Sequence, residues 1–208
     1  MKQLFRKLGS VFVSLVTLVS LGAVAVIATA GTANAADNRC LNKYGSGWNA
    51  GGRPQWLGAV QATKARGVRT VTEIDGPSLS DGAPVTLWEN RGEEPQLWCF
   101  RNEGSVGGNS YYRIRNLYTG KCMDIQGPWL GDGVRVHQWN CSGYVYLSSQ
   151  QWTMIPRGTR SIEGSNQTVY QWQNRYNGGF LDVANYATSN GAYTHVWRYT
   201  GGDNQLWY

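Results

Sequence analysis

After residue 36 the apolar positions of this chain do not recur at helical spacing. They fall in short alternating runs, each opened by a turn dipeptide. Val134-Arg135-Val136 follows Asp132-Gly133, and Ala83-Pro84-Val85 follows Asp81-Gly82. Asn190-Gly191 supplies a third dipeptide of the same kind. Asx-Gly pairs tolerate positive φ and suit tight hairpins. The pattern predicts an all-β chain of short, half-buried strands, with Pro84 at a sheet edge. One long apolar run stands apart, from Val11 to about Ala28. Lys2, Arg6 and Lys7 precede it and Ala33-Asn34-Ala35 follows, so residues 1–35 read as a secretory signal peptide cut after Ala35. An uncleaved anchor is the alternative, because the run is near spanning length. Cys40 lies outside any lipobox context, and the remainder is expected to be secreted and extracellular.

A short phrase recurs through that remainder: Gln96-Leu97-Trp98, Gln150-Gln151-Trp152 and Gln205-Leu206-Trp207. Three copies at near-constant period are an internal repeat, and so few long units point to lobes closed around an axis. The copies run over about 58–103, 111–156 and 169–208. An offset of 58 residues superposes Tyr112 on Tyr170 and Cys141 on Tyr199, and an offset of 51 relates copy one to copy two. In this register Glu73, Asp124 and Asp182 correspond, as do Gly82, Gly133 and Gly191, and Trp88, Trp139 and Trp197. Copy two carries extra residues within Ser142 to Ser149. Residues 36–57 match no copy and read as an irregular N-terminal extension; a second functional element there is the alternative.

Composition narrows the function classes. The chain has 27 Gly, 10 Trp and 12 Tyr but only 15% charged residues, which fits many turns and an aromatic core. Three of the cations behind the net charge of +6 lie in the leader. The remaining excess is too small and scattered for a nucleic-acid partner. Four cysteines (Cys40, Cys99, Cys122, Cys141) in an exported chain suggest two disulfides. There is no Cys-x-x-Cys pair, and His137 and His195 lie in different lobes with no second ligand near in sequence, so neither metal nor other cofactor is expected. Gly-x-Ser-x-Gly and His-Glu-x-x-His are absent. Glycoside hydrolysis needs two carboxylates close together, whereas Asp124 and Asp182 occupy equivalent places in separate lobes. Glu93-Glu94 reads as a solvated loop pair. The chain is therefore not expected to be an enzyme.

Three Gln-x-Trp units in register with an acid, a glycine and a second tryptophan resemble the ricin B-chain type of lectin, a carbohydrate-binding module. The resemblance covers about Leu57 to Tyr208 and implies a β-trefoil over residues 58–208. It makes Trp98, Trp152 and Trp207 core residues. It also makes Cys122 and Cys141 a lobe-stapling pair, which leaves Cys40 with Cys99.

A sugar presents vicinal hydroxyls and a patch of C–H groups. An ionised Asp accepts two hydroxyl protons in charge-assisted bonds, and an aromatic ring takes the apolar patch. Copy three has the full set: Asp182, His195, Trp197, Asn204 and Gln205. His195 stands where the family often has Gln. Copy two has Asp124, His137, Trp139 and Gln150, with Ser149 in place of the Asn. Copy one has Glu73, Thr86, Trp88, Pro95 and Gln96, an acid one carbon too long and no amide beside the glutamine, and reads as structural. The competing reading makes Asp124 and Asp182 turn residues and Trp139 and Trp197 ordinary packing. The resemblance implies a non-catalytic lectin for galactose-type or plant-polysaccharide sugars, and the chain is expected to be a monomer that does not insert into membranes. A trefoil interaction protein, such as a protease inhibitor or a toxin-targeting subunit, is the alternative.

Overall fold

The computed structural model describes residues 37–48, 53–127, 130–141 and 148–208; the signal-peptide reading of residues 1–35 lies outside them. Ten strands are formed: β1 Thr70–Ile74, β2 Val85–Glu89, β3 Trp98–Val106, β4 Asn109–Asn116, β5 Cys122–Ile125, β6 Val134–Trp139, β7 Gln151–Ile162, β8 Ser165–Asn174, β9 Phe180–Val183 and β10 Thr194–Trp197.

Pairing sorts them into two layers. A ring closes through β3–β4, β4–β7 and β7–β8, continues by the bridge from Tyr170 to Trp207, and returns through Ala59–Trp207 and Gln55–Trp98. Six extended segments thus make a closed barrel, which leaves no free edge within the ring. The hairpins β1/β2, β5/β6 and β9/β10 form a cap, joined to one another by β6–β10 pairing and by the bridges Pro84–His137 and Thr86–Tyr193. A six-stranded barrel under three hairpins is a β-trefoil. Gly82, Gly133 and Gly191 at the hairpin turns have φ of 82°, 83° and 79°, a region open to glycine and costly for other residues.

Trp98, Trp152 and Trp207 are wholly buried on the axis side. Trp152 Nε1 donates to Met123 O at 3.2 Å and Trp207 Nε1 to Leu181 O at 3.0 Å. All three indoles fill the barrel, and those of Trp152 and Trp207 fasten it to the first strand of their own hairpins. The Nε1 of Trp98 has no partner among the described residues.

Two helices interrupt the all-β pattern: α1, Arg39–Tyr44, inside the N-terminal extension, and α2, Val60–Arg66, at the start of lobe one. Both are two turns or shorter, too brief to carry a periodic signal, and their stability comes from tertiary contacts. The disulfide Cys40–Cys99 ties α1 to β3. Tyr44 donates to Asn116 O at 2.9 Å and to Leu117 O at 2.7 Å, and the Arg115 guanidinium lies 3.9 Å from its ring centre. Trp48, Leu97 and Leu117 pack around this attachment as a second small core, next to Cys122, which is bonded to Cys141.

Candidate functional site

Hairpin register decides what meets on the cap. The acid of each lobe lies directly opposite the second polar residue: Glu73 opposite Thr86, Asp124 opposite His137, Asp182 opposite His195. The tryptophans follow two residues later in the same strand, on the same face. Acid, polar neighbour and aromatic ring are thereby gathered by β geometry alone.

Lobe three carries a cavity over its acid. Asp182 Oδ1 accepts from Asn204 Nδ2 at 2.8 Å and lies 3.1 Å from His195 Nε2. Its second oxygen, Oδ2, has no hydrogen-bond partner among the described residues. His195 stacks on Trp197 with centroids 5.1 Å apart and planes at 27°. A cavity of ≈220 Å³ opens over these groups, lined also by Asn185, Tyr186 and Thr200. Its floor is a carboxylate held on one oxygen and open on the other.

Asn185 and Tyr186 were not singled out by sequence reading. Both have positive φ, 56° and 54°, in a sharp turn straight after β9 that lifts Tyr186 to the rim. A Cβ at Gly202 would come 2.9 Å from the Tyr186 hydroxyl and 2.4 Å from Asn204 Oδ1, so this wall needs glycine there. One signal was available. The positions corresponding to Tyr186 are Pro77 and Pro128, and an aromatic residue appears in lobe three alone.

In lobe two Asp124 is engaged on both oxygens, Oδ1 by Ile125 N at 2.8 Å and Oδ2 by Gln150 Nε2 at 2.9 Å. His137 stacks on Trp139 at 5.5 Å, and Trp139 is 44% exposed. Burial pushes the His137 imidazole below its ordinary pKa, against the opposing pull of Asp124 and Asp81. The Cys122–Cys141 disulfide joins β5 to the segment just after β6, next to the acid and the ring. Most of the stretch that holds the extra residues of copy two, residues 142–147, lies outside the described residues.

Lobe one is filled by the protein itself. Arg91 Nη2 bonds Glu73 Oε2 at 2.8 Å while the guanidinium lies 5.2 Å from the Trp88 ring centre. Gln96 Nε2 takes the same carboxylate oxygen at 2.8 Å. Burial raises the Glu73 carboxyl above its ordinary pKa, with Gln96 and Arg91 pulling the other way. An arginine thus occupies both the acid and the ring face that a ligand would need.

The glutamines of the repeated phrase are fully buried. Gln205 Nε2 donates to Arg198 O at 2.7 Å and its Oε1 accepts from Thr200 N at 3.0 Å. Gln96 does the same with Glu89 O at 2.8 Å and Arg91 N at 2.7 Å. Gln150 donates to Asn140 O at 3.0 Å. They fasten the segment that follows each second tryptophan. Gln205 makes no bond to Asp182; Asn204 does. Gln205 belongs structurally to the frame behind the pocket, because both ends of its amide are committed to backbone.

Residues 48–139 match the family model described as a ricin-type beta-trefoil lectin domain-like family. Clotting factor G alpha subunit of Tachypleus tridentatus is 29% identical over 131 residues, 62% of this chain. That stretch is 18% of the clotting-factor subunit, so the chain spans under a fifth of that relative's length. Among solved structures, a designed threefold-symmetric protein, ThreeFoil, superposes with a TM-score of 0.60 at 28% identity, covering 73% of this chain and 94% of its own. An exo-beta-1,3-galactanase from Clostridium thermocellum gives a TM-score of 0.60 at 23% identity, over 74% of this chain and 29% of the enzyme, a likeness of fold.

Proposed function

Starting from a chain that carries a ricin-type β-trefoil lectin-like domain, we propose that it is a secreted carbohydrate-binding protein that works through lobe three, with lobe two as a second, altered site. One observation carries this reading: Asp182 sits at the floor of an open cavity with one oxygen fixed by Asn204 and His195 and the other available, beside Trp197. A fixed acceptor next to an aromatic ring is what a pair of sugar hydroxyls and a C–H face require. Tyr186 adds a second aromatic wall. Export rests on the leader pattern and the two disulfides. The ligands are galactose-type sugars or plant polysaccharides, and the protein is a non-catalytic monomer. Lobe one takes no sugar, because Arg91 holds its acid and its ring.

A glycan array carrying galactosides, xylan and arabinoxylan tests the proposal. The wild-type chain binds a subset of spots, and D182A and W197A each lose most of that signal. Absence of wild-type binding, or binding indifferent to both substitutions, sinks it and leaves an interaction protein with vestigial pockets.

A further inference from the structure

Trp139 and Trp197 stack on the histidine of their own hairpin, but the turn of the neighbouring hairpin reaches each cap tryptophan too. Gly133, in the lobe-two turn, donates to Val196 O at 2.9 Å, and a Cβ there would lie 3.5 Å from Trp197 Cζ3. Gly82 of lobe one stands likewise beside Trp139, and Gly191 of lobe three beside Trp88. The residue before each glycine adds a second contact. Asp132 Oδ1 accepts from Arg198 N at 2.7 Å, the N–H just after Trp197. Asn190 Oδ1 accepts from Glu89 N at 3.0 Å, the N–H just after Trp88. Asp81 departs from the rule. Its Oδ1 takes Lys121 Nζ at 2.6 Å, and the tryptophan it adjoins is the well-exposed Trp139.

Resting on the lectin reading of lobe three, we propose that Asp132, a lobe-two residue, is a positioning residue for the lobe-three sugar site. It caps the Arg198 N–H and so fixes both the Trp197 ring and the strand end that carries the wall. The other face of that segment is held from within, by Gln205 on Arg198 O and Thr200 N, and Thr200 lines the cavity. Asp132 thus closes the frame from outside the lobe. Its side chain also pairs with Arg198 Nε, but the Arg198 side chain is 77% exposed, and an ion pair so placed contributes little. The backbone cap is the effective part. Lobe three itself supplies the comparison, since Asn190 performs the same cap for lobe one with a neutral amide, whose oxygen also accepts from Arg66 Nη1 at 2.6 Å.

The test uses the full chain in two backgrounds, D124A with site three alone and D182A with site two alone, on immobilised lactose-albumin and arabinoxylan. D132A weakens binding about fivefold in the D124A background, the loss of one hydrogen bond. It leaves the D182A background unchanged, which also shows that the variant folds. D132N keeps the acceptor and stays within about twofold of its parent. The Trp197 indole N–H resonance moves in D132A and holds in D132N. Equal binding by D132A and its parent in D124A overturns the proposal, and so does an equal loss in both backgrounds. A D132N loss as large as that of D132A overturns the cap in favour of the ion pair. If the wild type binds neither probe, the lectin reading fails, and a Trp197 resonance that stays put in D132A rejects the positioning role independently.

Discussion

Asn204 and Gln205 are neighbours in the chain with different tasks. Asn204 faces the pocket and holds Asp182 at 2.8 Å, whereas Gln205 turns inward and holds Arg198 O and Thr200 N. Removing each kind of amide should therefore separate stability from binding. Gln96→Ala strips partners from Arg91 N, Glu89 O and Glu73 at once, in a lobe already closed by Arg91. It is expected to lower unfolding free energy by roughly 2–3 kcal/mol in denaturant titration and to leave glycan binding intact. Asn204→Ala should do the reverse, with a small stability change and lost binding on the array. His137 gives a pH signature. Its folded pKa is depressed by burial, so on acidification the unfolded chain takes up a proton before the folded chain does. Stability present at pH 7.5 is then lost as the pH falls through the ordinary histidine range near 6.5 and below. His137→Asn should flatten the fall in Tm between pH 7.5 and pH 5.5, and an unchanged slope would assign the pH dependence elsewhere.

At the scale of elements, the turn dipeptides marked all three hairpins, because Asp-Gly and Asn-Gly encode positive φ locally. The repeat then set their register, and the acid–His pairs across β5/β6 and β9/β10 follow from it. The part not legible was non-local or too short. Helix α2 spans seven residues and ends at Gly67, below the length at which periodicity speaks. The wall residue Tyr186 depends on two consecutive positive-φ residues that are not glycine, which no propensity predicts. Arg91 carries no signal in the repeat register, and only the fold brings it onto Glu73 and Trp88. The extension shows the same division. Its cysteine was visible, while the docking of Tyr44 and Lys43 onto the 116–118 backbone was not. Because Cys40 and Cys99 are 59 residues apart, replacing both with serine should lower stability by about 4 kcal/mol in the chain-entropy account. Trp48, now buried, should become quenchable by iodide while the proposed glycan binding persists, since no described residue of the extension lines the lobe-three cavity.

At the scale of the molecule, three equivalent lobes have diverged into three states: open at Asp182, tightened at Asp124, and filled by Arg91 at Glu73. The cap that carries them is continuous, with β6 paired to β10 and bridges from Pro84 to His137 and from Thr86 to Tyr193. The two proposed sites are therefore joined through direct β6–β10 pairing. On a free monosaccharide each site acts alone, so D124A should only remove the weaker class of sites and D182A the stronger. A polymer or a densely decorated surface is different. Once one site is engaged, the second meets its sugar at an effective concentration on the order of millimolar if spacing allows. Wild type should then exceed either single mutant on immobilised arabinoxylan or galactan by at least about tenfold in apparent affinity, with slower dissociation. Surface plasmon resonance at decreasing ligand density provides the check, because the advantage should vanish as neighbouring chains become too sparse to bridge. Equal retention by D124A and wild type at every density would mean that lobe two contributes nothing and that the trefoil works as a single-site binder.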